Sequence, residues 1–183
     1  VVVGTPCSDI NGSARGGLIE VMTRTPPSGP WSVNTTWWLA PQIGVVEFGN
    51  SVDIDGDYLV AGAHLWSSNG LSHHEGTAWF YIWNGSVYDG NIGWSGDSHG
   101  DFFGTDVAIL DDTAVASSPR ADGNSWPDDT AAVENRGGGI LAKYNGTVYD
   151  IPTLGDFYSL TDPGSNGPAT DFGRRVAMYD GYD

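Results

Sequence analysis

The sequence is short of positive charge. Lysine and arginine number seven against 23 aspartates and glutamates, which leaves a formal net charge of −16 at pH 7. Binding to nucleic acid requires lysine and arginine to replace the phosphate counterions, and attraction to an anionic membrane surface requires them too. The composition therefore argues against both partners. It indicates a solvated acidic assembly, adaptation to salty surroundings, or the binding of divalent cations or basic partners.

Cysteine and long apolar runs are also scarce. Cys7 is the only cysteine, so no internal disulfide can form, and its thiol is expected to be buried, free or engaged between molecules. No run of eighteen apolar residues occurs, so we expect no membrane insertion. No signal peptide is recognisable, and we expect a mature piece or a segment of a longer protein.

Helical periodicity and catalytic motifs are nearly absent as well. We find no twelve-residue window with apolar residues at helical spacing that lacks a glycine or proline breaker. Neither a Gly-x-Ser-x-Gly elbow nor a His-Glu-x-x-His motif occurs. Pairs of carboxylates are uninformative in so acidic a chain. The sequence thus gives no support for an enzyme.

Glycine and tryptophan, by contrast, are abundant, with 27 and eight residues. A pattern that begins with Phe-Gly and reads as a strand, a tight Asp-rich turn and a second strand recurs along the chain. Asp-Gly is a strong hairpin signal because both residues tolerate positive φ. The three copies span residues 48–63, 103–118 and 172–183.

A second hairpin follows each first one. Residues 76–83 run into Asn84-Gly85, and residues 139–144 run into Asn145-Gly146. The Asn-Gly pairs predict type I′ turns. Near the start, residues 17–24 and 31–39 read as the corresponding third and fourth strands. One repeat is therefore four antiparallel strands, and the sequence predicts an all-β fold, a β-propeller with about three blades in this chain.

The predicted propeller segment divides into four ranges. Residues 1–46 give strands two to four of one blade, 47–101 a second blade, 102–170 a third, and 171–183 the first strand of a next or shared blade. The end and the start of the chain join into one complete repeat. We therefore expect either one period of a longer array or three blades that close with a second copy, because three blades alone are too few.

These Phe-Gly repeats resemble the FG-GAP family, whose integrin α-subunit relatives form seven-bladed propellers. The resemblance is to the short-turn branch and covers essentially the whole chain. Two features depart from the pattern: Ser117-Ser118 replaces Gly-Ala, and the loop from 118 to 137 is longer than its counterparts. The resemblance implies a propeller and a calcium site near the first turn. Asp53, Asp55 and Asp57 have the spacing of calcium-loop ligands, but the turn is short, which favours ordinary turn chemistry.

Two further clusters contain metal-ligand side chains. Asp97, His99 and Asp101 alternate in the connection before the second Phe-Gly, and predict either a metal site or a solvated polar loop. The run His73-His74-Glu75 contains zinc ligands, but the sequence supplies no third and fourth ligand at recognisable spacing.

Sequons for N-glycosylation and clustered tryptophans bear on location and binding. Tryptophans such as Trp79 and Trp83, which alternate on one face of a strand, are expected in the core, with glycan-stacking platforms as the alternative. Exposed sequons in a secreted protein accept glycans. The candidate sites are Asn11, Asn34, Asn84 and Asn145.

The sequence favours a non-enzymatic structural or adhesive module, outside the cell or at its surface, within a larger array, fibre or oligomer. The expected partners are other copies of the chain or neighbouring repeats, with glycans or surface proteins beside them. A carbohydrate-binding propeller and a non-catalytic domain of a secreted enzyme are the alternatives. No cofactor is expected apart from the calcium ion that the resemblance implies.

Overall fold

The described part of the chain is built of β-strands alone. The computed structural model describes residues 1–10, 12, 14–24, 27–37, 46–68, 73–96, 99–121, 137–146, 149–150 and 173–181. These residues contain eleven strands and no helix, which confirms the all-β prediction. Within those ranges, no helix has the length and hydropathy needed to cross a membrane.

The strands form three antiparallel sheets in which chain neighbours lie side by side. The first sheet contains β1 (Val2–Thr5), β2 (Leu18–Thr23) and β3 (Ser32–Trp37). The second contains β4 (Val52–Asp55), β5 (Tyr58–Ala63), β6 (Thr77–Trp83) and β7 (Tyr88–Ser95). The third contains β8 (Val107–Leu110), β9 (Thr113–Ser118), β10 (Gly138–Tyr144) and β11 (Tyr149–Asp150).

The strands of the three sheets fall within the predicted ranges 1–46, 47–101 and 102–170, respectively. Between them, the strands of the described residues close neither a barrel nor a ring. Residues 173–181, the described part of the strand predicted over 171–183, contain no strand. The predicted loop of 118–137 and the stretch 151–172 lie mostly outside the described residues.

The Asp-rich turns are two-residue turns that share one backbone geometry. Asp55 pairs with Tyr58 across the first turn, and Leu110 pairs with Thr113 across the second. The first central residue has positive φ in both, 53° at Gly56 and 50° at Asp111. Glycine adopts this region without strain, and aspartate is among the few other residues that tolerate it. The same turn therefore forms from two different sequences.

The Asn-Gly connection between β6 and β7 is longer than the sequence predicts. Trp83 pairs with Tyr88, which leaves four connecting residues, 84–87. Only Gly85 among them has positive φ, at 94°, whereas a type I′ turn needs it at both central residues. The type I′ prediction is therefore wrong here. The side-chain Oδ1 of Asn84 instead accepts hydrogen bonds from the N–H groups of residues 86 and 87, both at 3.0 Å, an Asx turn.

The second sheet is buried on both faces. Along β5 the side chains alternate, as a pleated strand requires. Val60 belongs to a core cluster shared with the third sheet, whereas Leu59 and Ala61 belong to a cluster shared with the first. All three are fully buried. The sheets therefore stack face to face, with a hydrophobic layer on either side of the second sheet.

Close backbone approach joins the stacked sheets, and the Phe-Gly motif supplies it. A Cβ atom on Gly62 of β5 would overlap the carbonyl oxygen of Gly104, and one on Gly4 would overlap that of Gly49. The phenylalanine of each motif, Phe48 or Phe103, is buried in the adjoining cluster. Glycine is therefore required because the neighbouring backbone occupies the space of a side chain.

Two corners connect the sheets. In the first corner, residues 15–17 run beside residues 46–48, and in the second, residues 74–76 run beside residues 102–103. Gly17 and Phe48 form a parallel bridge in the first corner, as do Gly76 and Phe103 in the second. The repeated bridge shows that the connections from one sheet to the next follow one backbone design.

Candidate functional site

Carboxylate oxygens on β4 bind the backbone of β8 and of the turn that follows it. Oδ2 of Asp53 accepts a hydrogen bond from the N–H of Ile109 at 2.9 Å, and Oδ2 of Asp55 accepts one from the N–H of Asp111 at 2.7 Å. Residues 53 and 55 share a strand face because side chains alternate. Together with Ser51, these residues form what we call the side-chain ladder between the second and third sheets.

Ser51 is the first residue of the side-chain ladder, and Asp106 makes the equivalent contact on the third sheet. Its Oγ accepts a hydrogen bond from the N–H of Val107 at 3.1 Å and donates one to Oδ1 of Asp106 at 2.9 Å. Asp106 occupies the position of Ser51 in the next repeat. Its Oδ2 accepts a hydrogen bond from the N–H of Val176 at 2.9 Å, just as Ser51 does from Val107. The third sheet therefore binds residues 173–181 through Asp106 as the second sheet binds the third through Ser51.

The three predicted calcium ligands lie in or beside this ladder. Both oxygens of Asp53 accept backbone hydrogen bonds, since Oδ1 also accepts the N–H of Ile54 at 2.9 Å. Asp57 lies in the exposed turn. Calcium binding by Asp53, Asp55 and Asp57 stays a prediction. The geometry gives the first two carboxylates a different task, which is to bind the adjacent sheet.

Asn50 links the second and third sheets beside the ladder. Its Nδ2 donates hydrogen bonds to the carbonyl oxygens of Gly104 at 3.2 Å and Thr105 at 2.9 Å. Its Oδ1 accepts the N–H of His64 at 3.1 Å. A single amide thus fixes the position of the second Phe-Gly motif relative to β5. Sequence reasoning missed Asn50, although its place directly after the first Phe-Gly motif was a signal.

The fold brings together two segments that the sequence treats as separate metal candidates. His73, Glu75 and His99 offer ligand atoms that all lie within 4.8 Å of one another. The imidazole rings of His73 and His99 have centroids 3.6 Å apart. The fold thus places His99, from the connection after β7, beside His73 and Glu75 as a third candidate ligand.

The neighbours of this histidine cluster are arranged differently. The ring of His74 stacks on Phe102, with centroids 5.7 Å apart, and so is not part of the cluster of His73, Glu75 and His99. Asp101 is buried, and its carbonyl oxygen accepts the hydroxyl of Ser118 at 3.0 Å. Asp97 lies outside the described residues. The alternating motif 97–101 thus contributes His99 to the described cluster, and Asp101 is not one of its members.

Burial shifts the protonation of two groups. The pKa of His64 falls below its ordinary value of 6.5, chiefly because burial disfavours the charged imidazole, with smaller effects from His74 and Arg15. Burial also raises the pKa of the Tyr81 hydroxyl. His64 is therefore favoured in its neutral form, although Oε2 of Glu47 lies 3.6 Å from its Nε2.

The predicted glycosylation sites differ in how much the structure describes. Asn84 and Asn145 are exposed in the loops after β6 and β10, where a glycan has room. Asn34 lies in β3, and nothing is described of its side chain, while Asn11 lies outside the described residues. Cys7 is exposed, with its thiol free of any disulfide.

Most described tryptophans belong to the core. Trp66, Trp79 and Trp83 pack against the cluster between the first two sheets, and Trp94 packs against the cluster between the last two. Trp31 differs, because it is 46% exposed and the guanidinium of Arg24 lies 4.8 Å from its ring centroid. The expectation of core tryptophans is therefore met at four positions, and Trp31 is the exposed one among those described.

Comparison with known proteins identifies no relative from which a function could be inferred. No protein-family model matches the chain, and no curated protein matches it.

Proposed function

We propose that this chain is a segment of a β-propeller of four-stranded blades that serves as a structural or adhesive module outside the cell, without catalysis of its own. The observation that carries the proposal is the recurrence of the ladder contact, from Ser51 to Val107 and again from Asp106 to Val176. Repeat architectures arise when each unit uses the same contact to hold the next.

Burial on both faces of the second sheet supports this architecture. In a propeller, the blades are sheets that stack around a channel, so every blade is covered on both faces. The second sheet has that environment, with one hydrophobic cluster on either side. The resemblance of Phe48-Gly49 and Phe103-Gly104 to FG-GAP repeats agrees with it, since both motifs lie where sheets approach.

The partner of the module is another copy of this chain or a neighbouring repeat. The first sheet has three strands, and β1 is at its edge. Val1 and Val3 beside that edge are exposed, at 56% and 37%. An open edge with apolar side chains is a template for a further strand. The segment 171–183 has the first-strand pattern of the Phe-Gly motif, and another copy can supply it to this edge.

An extracellular setting accounts for the surface. A net charge of −16 keeps the surface solvated and disfavours nucleic-acid partners. The sequons at Asn84 and Asn145 lie in exposed loops. Both features suit a surface or secreted module that presents glycans and holds its neighbours through sheet contacts.

Glycan binding is the second candidate function, and Trp31 favours it. An exposed indole stacks on the apolar face of a sugar ring, and Trp31 is exposed with Arg24 beside it. A glycan array with Trp31→Ala as the control variant separates the two proposals. Binding that the variant abolishes favours the glycan-binding module, and no binding by the native chain favours the structural one.

Native and denaturing mass spectrometry of the purified chain tests the propeller proposal. We expect a native species of two chains, or a polymer, and ring-shaped particles by electron microscopy. Asp106→Ala removes the acceptor that holds Val176 of the same chain against the third sheet. The segment 171–183 is then no longer held in place for another copy, so the native species should shift toward single chains. Asp57→Ala, in an exposed turn outside the side-chain ladder, should leave it unchanged. A native single chain with no ring in the images contradicts the proposal.

A further inference from the structure

The histidine cluster contains a buried carboxylate with an unused oxygen. Glu75 is 6% exposed. Its Oε1 accepts the hydroxyl of Ser68 at 3.2 Å. In the part of the chain that the structure describes, its Oε2 is buried and has no hydrogen-bond partner. Leaving a buried polar atom unpaired costs about 1–3 kcal/mol, and more when it is charged. This oxygen therefore calls for a ligand.

Backbone hydrogen bonds hold the two segments of the cluster in place. The buried hydroxyl of Ser67 accepts the N–H groups of His73 and His74 at 3.0 and 2.9 Å. The carbonyl oxygen of His73 accepts the N–H of Gly100 at 2.7 Å, directly after His99. These hydrogen bonds bring the two imidazoles together without using either imidazole ring. The cluster is assembled before any ligand arrives.

We propose that His73, Glu75 and His99 bind one zinc ion, with a fourth coordination position open to water. Two imidazoles and a carboxylate are the donor set of open zinc sites. Calcium prefers oxygen ligands alone, and imidazole suits zinc and its neighbours among the transition metals. The site is independent of whether the sheets close into a propeller.

A tetrahedral site requires the two imidazole rings to turn from a closely packed to a convergent arrangement, since their centroids now lie 3.6 Å apart. Ligands at about 2.0–2.1 Å from zinc lie about 3.4 Å from one another in a tetrahedron, and the three donors lie within 4.8 Å. His99 is exposed, so its ring can turn toward the ion without disturbing the core. Glu75 and His73 approach from the inner side, where Nδ1 of His73 lies 3.8 Å from Oε1 of Glu75.

The bound ion would act as a clamp at the second corner. Glu75 immediately precedes Gly76, which bridges to Phe103. His99 lies in the connection that leads to that phenylalanine. Coordination would join the segment before β6 to the segment before β8, and would compensate the buried charge of Glu75. We therefore expect zinc to stabilise the contact between the second and third sheets.

Zinc titration of the metal-free protein tests the site. The chain is dialysed against a chelator and titrated with Zn²⁺ in competition with a chromogenic indicator. We expect one ion per chain, and a loss in affinity of about 100-fold or more in His99→Ala, because even removal of outer partners costs roughly 10–100-fold. His74→Asn, in the same loop but with its ring on Phe102, should bind as the native chain does.

Folding and ligation are separated by two further measurements. His99 is exposed, so His99→Ala should keep the native circular dichroism spectrum, and zinc should raise the melting temperature of the native chain only. In His99→Cys, bound Co²⁺ should show a thiolate charge-transfer band that the native chain lacks. The proposal is overturned if the native chain binds no stoichiometric zinc, if His99→Ala binds as tightly, or if that band is absent.

Discussion

The two corners of the molecule have the same backbone and different side chains. In the first corner, Glu47 donates its N–H to the carbonyl of Arg15 at 3.0 Å, and in the second, Phe102 donates to His74 at 3.1 Å. All four residues have φ of 54°, in the left-handed region. The side chains form an ion pair in the first corner and stacked aromatic rings in the second.

The difference between the corners separates the groups that bring the sheets together from the groups that could bind a ligand. Backbone hydrogen bonds and glycines recur in both corners, so the approach of the sheets depends on them. The side chains are free to vary, because an ion pair and a ring pair fill equivalent positions. Only the second corner adds His73, Glu75 and His99, and it alone among the described corners offers such a metal cluster.

The largest expected effect comes from blocking the backbone approach. In Gly62→Ala, the new Cβ meets the carbonyl of Gly104, and only movement of the sheets can relieve the overlap. We expect a loss of about 3 kcal/mol in unfolding free energy, at the upper end for overpacking. Urea denaturation measures it. Gly139→Ala is the control, since its Cβ lies 3.0 Å from the oxygen of Ala116 and neither glycine has positive φ. An equal cost in both would show that the sheets do not depend on this contact.

Removal of a ladder rung should cost less. Asp53→Ala leaves the N–H of Ile109 without its acceptor, and hydrogen bonds to charged groups contribute about 1.5–3 kcal/mol. We expect the unfolding free energy to fall by an amount near the lower end of this range, because Asp53 is only partly buried. The matched variant Asp57→Ala should change stability by less than about 0.5 kcal/mol. Comparable losses in the two variants would contradict the role of the side-chain ladder.

A pH dependence should come from His64 near the first corner. Its pKa is lowered on folding, so the unfolded chain binds more protons below pH 6.5 and acidification destabilises the fold. The stability is fully present above pH 6.5 and is lost as the pH falls toward the lowered pKa. His64→Gln should flatten the plot of unfolding free energy against pH between 7 and 5. An unchanged slope would mean that the carboxylates alone cause the loss of stability at acidic pH.

The smallest effect should come from the second Asp-rich turn. Asp111 adopts the φ that Gly56 adopts in the first turn. Asp111→Gly removes the side-chain strain of the left-handed region but loosens the unfolded chain, and we expect a net gain of about 0.5 kcal/mol. Asp111→Ala should destabilise, because alanine lacks the tolerance of aspartate for this region. Thermal melts of the two variants should move in opposite directions.

The sequence predicted the elements better than their contacts. Period-two patterns and turn residues located the hairpins of residues 48–63 and 103–118, because these depend on local chemistry. The Asn84 turn was predicted wrongly, since the Asx bonds of its side chain replace a type I′ geometry. The meeting of His73 with His99 was unpredictable, because it depends on how the connections fold back. The spacing of Asp53 and Asp55 favoured ordinary turn chemistry over calcium, and their contact with the third sheet was missed because it depends on how the sheets stack.

The side-chain ladder gives the stack a direction. Apart from the hydroxyl of Ser51, which also donates to Asp106, the donors are backbone N–H groups, as at Val107 and Val176, which every residue except proline supplies. The acceptors are specific side chains, such as Ser51 and Asp106. The sheet that supplies the oxygens must therefore keep those side chains. The sheet that supplies the N–H groups can change most of its own side chains without losing the contact. Stacked sheets of this kind can therefore differ in sequence on the N–H side and still keep the contact.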